Sequence, residues 1–163
     1  MQRISGWEFR AKRVGDRTPQ PMDFPNECQS PTDITLGVFI SNESKVDIKN
    51  ISLAYLKFCE VFWEKPVELL KALKPGKSGW VSLKAKKSQI VHFKIKYTID
   101  GTTYYEERVP IVRDERVWMY SCIGLAVYQG GANLLWYNAL KIDVAGCPWV
   151  PNYNVGATGS GTL

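Results

Sequence analysis

From Ile34 to Tyr55 apolar side chains recur at alternate positions. Ile34, Leu36, Val38 and Ile40 alternate with Thr35, Gly37 and Ser41, the period of a strand with one buried face. A polar turn, Ser41-Asn42-Glu43-Ser44, separates this run from a second. In the second run Val46 and Ile48 share one parity, whereas Ile51, Leu53 and Tyr55 share the other. Successive strand residues point to opposite faces, so keeping both sets inside requires a bulge or bend near Lys49–Asn50.

The segment from Trp63 to Lys74 lacks that alternation. Pro66 suits a first helical position, and Leu69, Leu70 and Leu73 share a helical face. It reads equally as a short helix around 66–73 or as an irregular edge segment. Pro75-Gly76 ends it in either case, and Gly79–Lys84, with Trp80, Val81 and Leu83, begins strand again.

The clearest hairpin runs from Ile90 to Ile111. Val91, Phe93, Ile95, Tyr97 and Ile99 form one face and lead into Asp100-Gly101, a strong short-range hairpin signal. A two-residue turn pairs Phe93 with Arg108 and Ile95 with Glu106, placing charges on the apolar face. A three-residue loop, Asp100-Gly101-Thr102, instead sets Val109 and Ile111 opposite Phe93 and Val91, and Lys96 opposite Glu106. The longer loop is therefore expected. Val117–Tyr128 and Leu134–Val144 form a final hairpin around residues 129–133, and Trp7–Val14 reads as a further strand. Residues 146–163 are rich in glycine and read as an extended or mobile tail.

Short strands at hairpin spacing, without alternating helices, predict an all-β fold: a two-sheet antiparallel β-sandwich. The expected organisation is one domain over 1–163. It comprises an N-terminal extension (1–33, with the strand at 7–14), a sandwich body (34–144) and a loop-rich tail (145–163).

Composition agrees with a globular chain, at 45% hydrophobic and 23% charged residues. No apolar stretch approaches the roughly 18 residues of a membrane helix. Met1–Arg17 shows no apolar core of a secretory signal; either the chain is not exported by that route or the signal precedes this numbering. A net charge of +5 favours anionic partners without being a nucleic-acid signature. Cys28, Cys59, Cys122 and Cys147 lack metal-site spacing. Two disulfides are arithmetically possible, and the redox compartment stays open.

The pattern speaks against catalysis. The lone histidine, His92, alternates with Ile90, Lys94 and Lys96 on the face opposite Phe93, as a solvated strand position does. No nucleophile elbow or phosphate-cradling glycine loop is present. Glu106-Glu107 and Asp114-Glu115 are sequence neighbours, which on a strand point to opposite faces. No enzyme activity, cofactor or metal is expected. Lys84, Lys86, Lys87, Lys94 and Lys96 form a basic run near Trp80, Tyr97 and Tyr105. It suits a positive groove for nucleic acid or contact with an anionic membrane surface, or, more plainly, a lysine-decorated face that discourages edge pairing.

The order of features over 34–144 resembles the aegerolysin family. The best stretch is Val38-Phe39-Ile40-Ser41-Asn42, followed by the run from Val46 to Phe58. Tyr55 stands where the family usually has tryptophan, Lys57 matches its lysine, and Leu56 replaces its glycine. Lys74-Pro75-Gly76 before a strand, Tyr128-Gln129-Gly130 through Asn133, and Ala139–Val144 continue the likeness. The chain departs from the family's mid-chain Cys-Pro-Trp, which has no counterpart near 111–116; Cys147-Pro148-Trp149 lies in the tail. The family's Cys-Gly-Arg is missing near 83–86 as well.

The resemblance implies a non-enzymatic lipid-recognition β-sandwich, with sphingolipid-containing membranes as the expected ligand. It also implies a larger perforin-like partner protein that supplies the pore of a cytolytic or insecticidal pair. Tyr55, Lys57, Trp118, Tyr120, Trp136 and Tyr137 are the candidate ligand contacts, with Trp7 a further exposed-aromatic candidate. Two other readings stand beside it: a lectin-like glycan binder, and a nucleic-acid-binding or capsid-like β protein, the last disfavoured by the modest charge.

Overall fold

A computed structural model describes residues 7–11, 28, 35–84, 90–110, 112–148 and 158–162, and within them the chain is all-β. The first strands are β1 (Trp7–Ala11), β2 (Thr35–Asn42), β3 (Ile48–Lys57), β4 (Val67–Leu73), β5 (Ser78–Lys84) and β6 (Ile90–Ile99). They are followed by β7 (Thr102–Arg108), β8 (Val112–Arg113), β9 (Arg116–Tyr128), β10 (Gly131–Asp143) and β11 (Thr158–Thr162).

Two runs of strands face each other across a common core. One is ordered β1-β10-β9-β2-β5, the other β4-β3-β6-β7-β11. They are not separate sheets. Ile90 of β6 pairs with Tyr120 of β9, so hydrogen bonding continues from one half to the other and the sheet curls almost into a barrel. Nor is it wholly antiparallel, because β2 runs parallel to β9. The length of β9 explains both features. Its 13 residues meet β8 at Arg116–Val117, β6 at Tyr120 and β2 from Cys122 to Val127, all along one edge. Alternation reveals which residues are inside, but it carries no information on which strand lies beside which.

The bulge falls where the parity change requires it. Asn50 takes φ 53°, the register shifts between Lys49 and Ser52, and Ile48 and Ile51 are both fully buried. The region 66–73, read as a possible short helix, is strand β4, with Leu69 and Leu73 on its buried face. A segment so short gains little as a helix, whereas the free edge of β3 offers its backbone a full ladder. The tail is not wholly loop. Residues 158–162 form β11 against β7, a pairing that its Thr-Gly-Ser-Gly-Thr sequence does not announce.

The central hairpin takes the shorter turn. Ile99 pairs with Thr102 across Asp100 (φ 48°) and Gly101 (φ 81°), the two left-handed residues of a type I′ turn. Phe93 thus faces Arg108, and Ile95 faces Glu106. The charges are buried rather than avoided, with Glu106 1% and Arg108 5% exposed. Tyr97 Oη donates to Glu106 at 3.0 Å, and Arg108 Nε donates to Tyr120 Oη at 3.1 Å with its guanidinium 4.2 Å over the Trp136 ring. Hydrogen bonding and a cation–π contact make such burial tolerable. The last hairpin is also tighter than the 129–133 loop, with β10 beginning at Gly131 directly after Gln129-Gly130.

Two disulfides, Cys28–Cys122 and Cys59–Cys147, span 94 and 88 residues. Such bonds persist in oxidising compartments, so the chain has the character of an extracellular protein. No helix among the described residues is long and apolar enough to cross a membrane.

Candidate functional site

Among the described residues the β3–β4 connection groups three of the four large exposed apolar side chains, the fourth being Trp80 on β5. Phe62 is 82% exposed, Val61 53% and Trp63 41%. This projection is firmly held. The Cys59–Cys147 disulfide ties its base to the segment after β10. Phe58 and Cys59 pack on a small core of Val91, Val117, Met119, Val144 and Cys147. Glu60 N donates to Lys57 O and Glu64 N to Tyr55 O, and Lys57 Nζ meets Glu64 Oε1 at 2.8 Å. On its inner side Trp63 stands edge-on to His92, with ring centroids 4.5 Å apart.

His92 is therefore not a solvated strand residue. It is 5% exposed, with Nε2 2.6 Å from Glu107 Oε2. Alternation grouped it with Ile90, Lys94 and Lys96, but a register shift between Leu56 and Lys57 sends Ile90 into the core, and the loop folds back over His92 itself.

The sequence-predicted residues divide. Tyr55, Lys57 and Trp118 lie at the end of the sheet that carries the projection. Tyr55 is half-buried, its hydroxyl pKa raised by burial and then by Glu64, against the opposing pull of Lys57. Lys57 is raised chiefly by its hydrogen bond to Glu64. Trp118 is half-buried with Lys141 Nζ 4.8 Å over its ring. Tyr120 and Trp136, by contrast, are core residues, fully buried and 2% exposed, so neither reaches a ligand unless the sheet opens. The side chains of Trp7 and Tyr137 lie outside the described residues. In the basic run, Lys94 and Lys96 lie half-buried on β6, Lys94 4.7 Å from the Tyr105 ring centroid. Lys86, Lys87 and the side chain of Lys84 lie outside the description.

Sequence reasoning passed over Phe62 and Trp63. The signal was present: Val61-Phe62-Trp63 is a non-periodic apolar triplet between Glu60 and Glu64, three residues after Phe58-Cys59 begins to break the strand pattern. Among the described residues no group of three or more His, Cys, Asp or Glu could hold a metal ion. No protein-family model, curated protein or solved structure matches the chain.

Proposed function

We propose that this protein is a non-enzymatic, lipid-binding module that seats on membranes through the 61–63 projection. The observation that carries this reading is the braced Val61-Phe62-Trp63 tip. Aromatic side chains on a fixed loop suit the membrane interface, where apolar bodies enter and polar neighbours stay wet. Preorganisation by the disulfide lowers the ordering cost of binding. Charges beside the tip balance, Lys57 and Lys65 against Glu60 and Glu64, which favours zwitterionic over anionic headgroups.

The likeness to aegerolysins adds sphingolipid as the lipid class and a perforin-like protein as the partner that completes a pore. The departures at the family's Cys-Pro-Trp mean that the headgroup has to be measured. Sedimentation with vesicles of phosphatidylcholine, with and without sphingomyelin, tests the reading. Phe62→Ser should weaken binding about 10–100-fold, since burying a phenylalanine side chain is worth roughly 1.5–3 kcal/mol. Binding should change little with salt, and vesicles should leak little without a partner. Equal sedimentation of wild type and Phe62→Ser, or none on either vesicle, would sink the proposal. Steep loss of binding to RNA or DNA with added salt would favour the nucleic-acid reading instead.

A further inference from the structure

At the opposite end of the sheet, three turns enclose a cleft of about 240 Å³. The β2–β3 turn contributes Ser44, the β6–β7 turn Asp100, and the β9–β10 turn Gln129, with Tyr104 and Tyr128 as aromatic walls and buried Tyr97 behind them. All three turns are fixed. Asp100-Gly101 is a type I′ turn, and Gly130 takes φ 86°. Asn42, fully buried, holds the first turn: its Nδ2 donates to Val46 O and Leu73 O, each at 2.8 Å, and its Oδ1 accepts from Ser44 N and Oγ. Tyr97 and Tyr104 stack at 5.7 Å, and Tyr97 is anchored beneath by Glu106.

The lining selects its ligand. Among the described residues no lysine, arginine or histidine lines the cleft, so none of them compensates a phosphate, sulfate or carboxylate. Aromatic rings beside a carboxylate and an amide, those of Asp100 and Gln129, are groups that recognise a neutral polyol, while the Ser44 hydroxyl is spent inside its own turn on Asn42 Oδ1 and Val46 O. Rings meet the C–H face of a sugar, while planar polar side chains bridge adjacent hydroxyls. The volume falls below the roughly 300–1,000 Å³ of drug-sized sites, the scale of a single sugar ring.

We infer that this cleft is a saccharide-binding site for one neutral pyranose unit, separate from the membrane tip. The sugar comes from a free glycan or from a glycolipid headgroup, the shared chemistry being the ring and its hydroxyls. The inference does not rest on the membrane reading, because the cleft lies at the far end of β3 and β6 from residues 61–63.

The test is a 15N-resolved NMR titration of the full chain with methyl glycosides of glucose, galactose, mannose and N-acetylglucosamine. Saturable shifts are expected at Ser44, Gly101, Gly130 and Gly131 with at least one sugar, at millimolar concentration. Asp100→Asn keeps the turn type and should weaken binding at least tenfold, as should Tyr104→Ala, whereas Phe62→Ser should leave it unchanged. Vesicles bearing the same sugar on a glycolipid separate the two sources. Capture by Phe62→Ser that the methyl glycoside competes away assigns the headgroup, and no capture assigns free glycan. Absence of shifts at the cleft with all four sugars overturns the inference. So does binding indifferent to both cleft substitutions.

Discussion

Replacing Asn42 by alanine removes a side chain that joins three pieces of backbone. Its amide spans Val46 O and Leu73 O, and its oxygen takes both the amide and the hydroxyl of Ser44. The site is fully buried, so no water replaces these partners at once. Four bonds at roughly 0.5–1.5 kcal/mol each put the loss at about 2–6 kcal/mol. A change of that size is a large part of a stability of roughly 5–15 kcal/mol. For a chain of this length it lowers Tm by about 10 °C. Urea unfolding followed by tryptophan fluorescence reads it directly, as a lower midpoint with an unchanged slope. Asn42→Asp sharpens the test, because a carboxylate there faces two carbonyl oxygens. Its pKa in the folded state should rise above the unfolded value, so its stability should fall as pH rises through that window and recover in acid. A loss below 1 kcal/mol for Asn42→Ala, with sugar shifts at Ser44 intact, would refute the role given to this residue.

Three further outcomes are expected. Removing the Cys59–Cys147 bond as the double serine variant should cost about 2–5 kcal/mol and expose the 58–66 loop to limited proteolysis; unchanged cleavage there would contradict its bracing role. Gly37→Ala should cost about 1–3 kcal/mol, because a Cβ at that position lies 2.5 Å from the Trp80 ring and 3.0 Å from Cys122 Sγ; a neutral effect in thermal unfolding would mean that Trp80 swings aside freely. Tyr55 and Lys57 both have raised pKa values in the fold, so their contribution is complete below the unfolded values near 10 and is lost as pH rises through the folded ones. Stability measured from pH 9 to 12 should therefore fall less steeply in Tyr55→Phe, and parallel curves would remove Tyr55 from the explanation.

Much of the fold was legible because alternation is a local property. The β2 and β3 runs, the bulge near Asn50 and the place where the central hairpin reverses, at Asp100-Gly101, follow from the period of two and the turn signal. The hairpin register was misjudged for a definite reason. Pairing rules charge Glu106 and Arg108 with exposure on an apolar face, but Tyr97, Tyr120 and Trp136 receive them there. Two of those three partners come from another hairpin, β9–β10, so no window of sequence contains the answer. The projection at 61–63 was hidden for the opposite reason, because its exposure is a fact about what fails to pack on it.

By itself, then, the amino-acid order determined an all-β chain, its main strand spans, where the two long hairpins reverse and the parity change at Asn50. Those depend on nearest neighbours along the backbone. Only the tertiary structure decided that β9 stitches the two halves into one nearly closed sheet and that the four cysteines pair as 28–122 and 59–147. It also decided that His92 is covered and that an exposed apolar tip and a polar cleft occupy opposite ends. These depend on contacts between residues far apart in the chain, where many arrangements satisfy the same alternation and only packing selects among them.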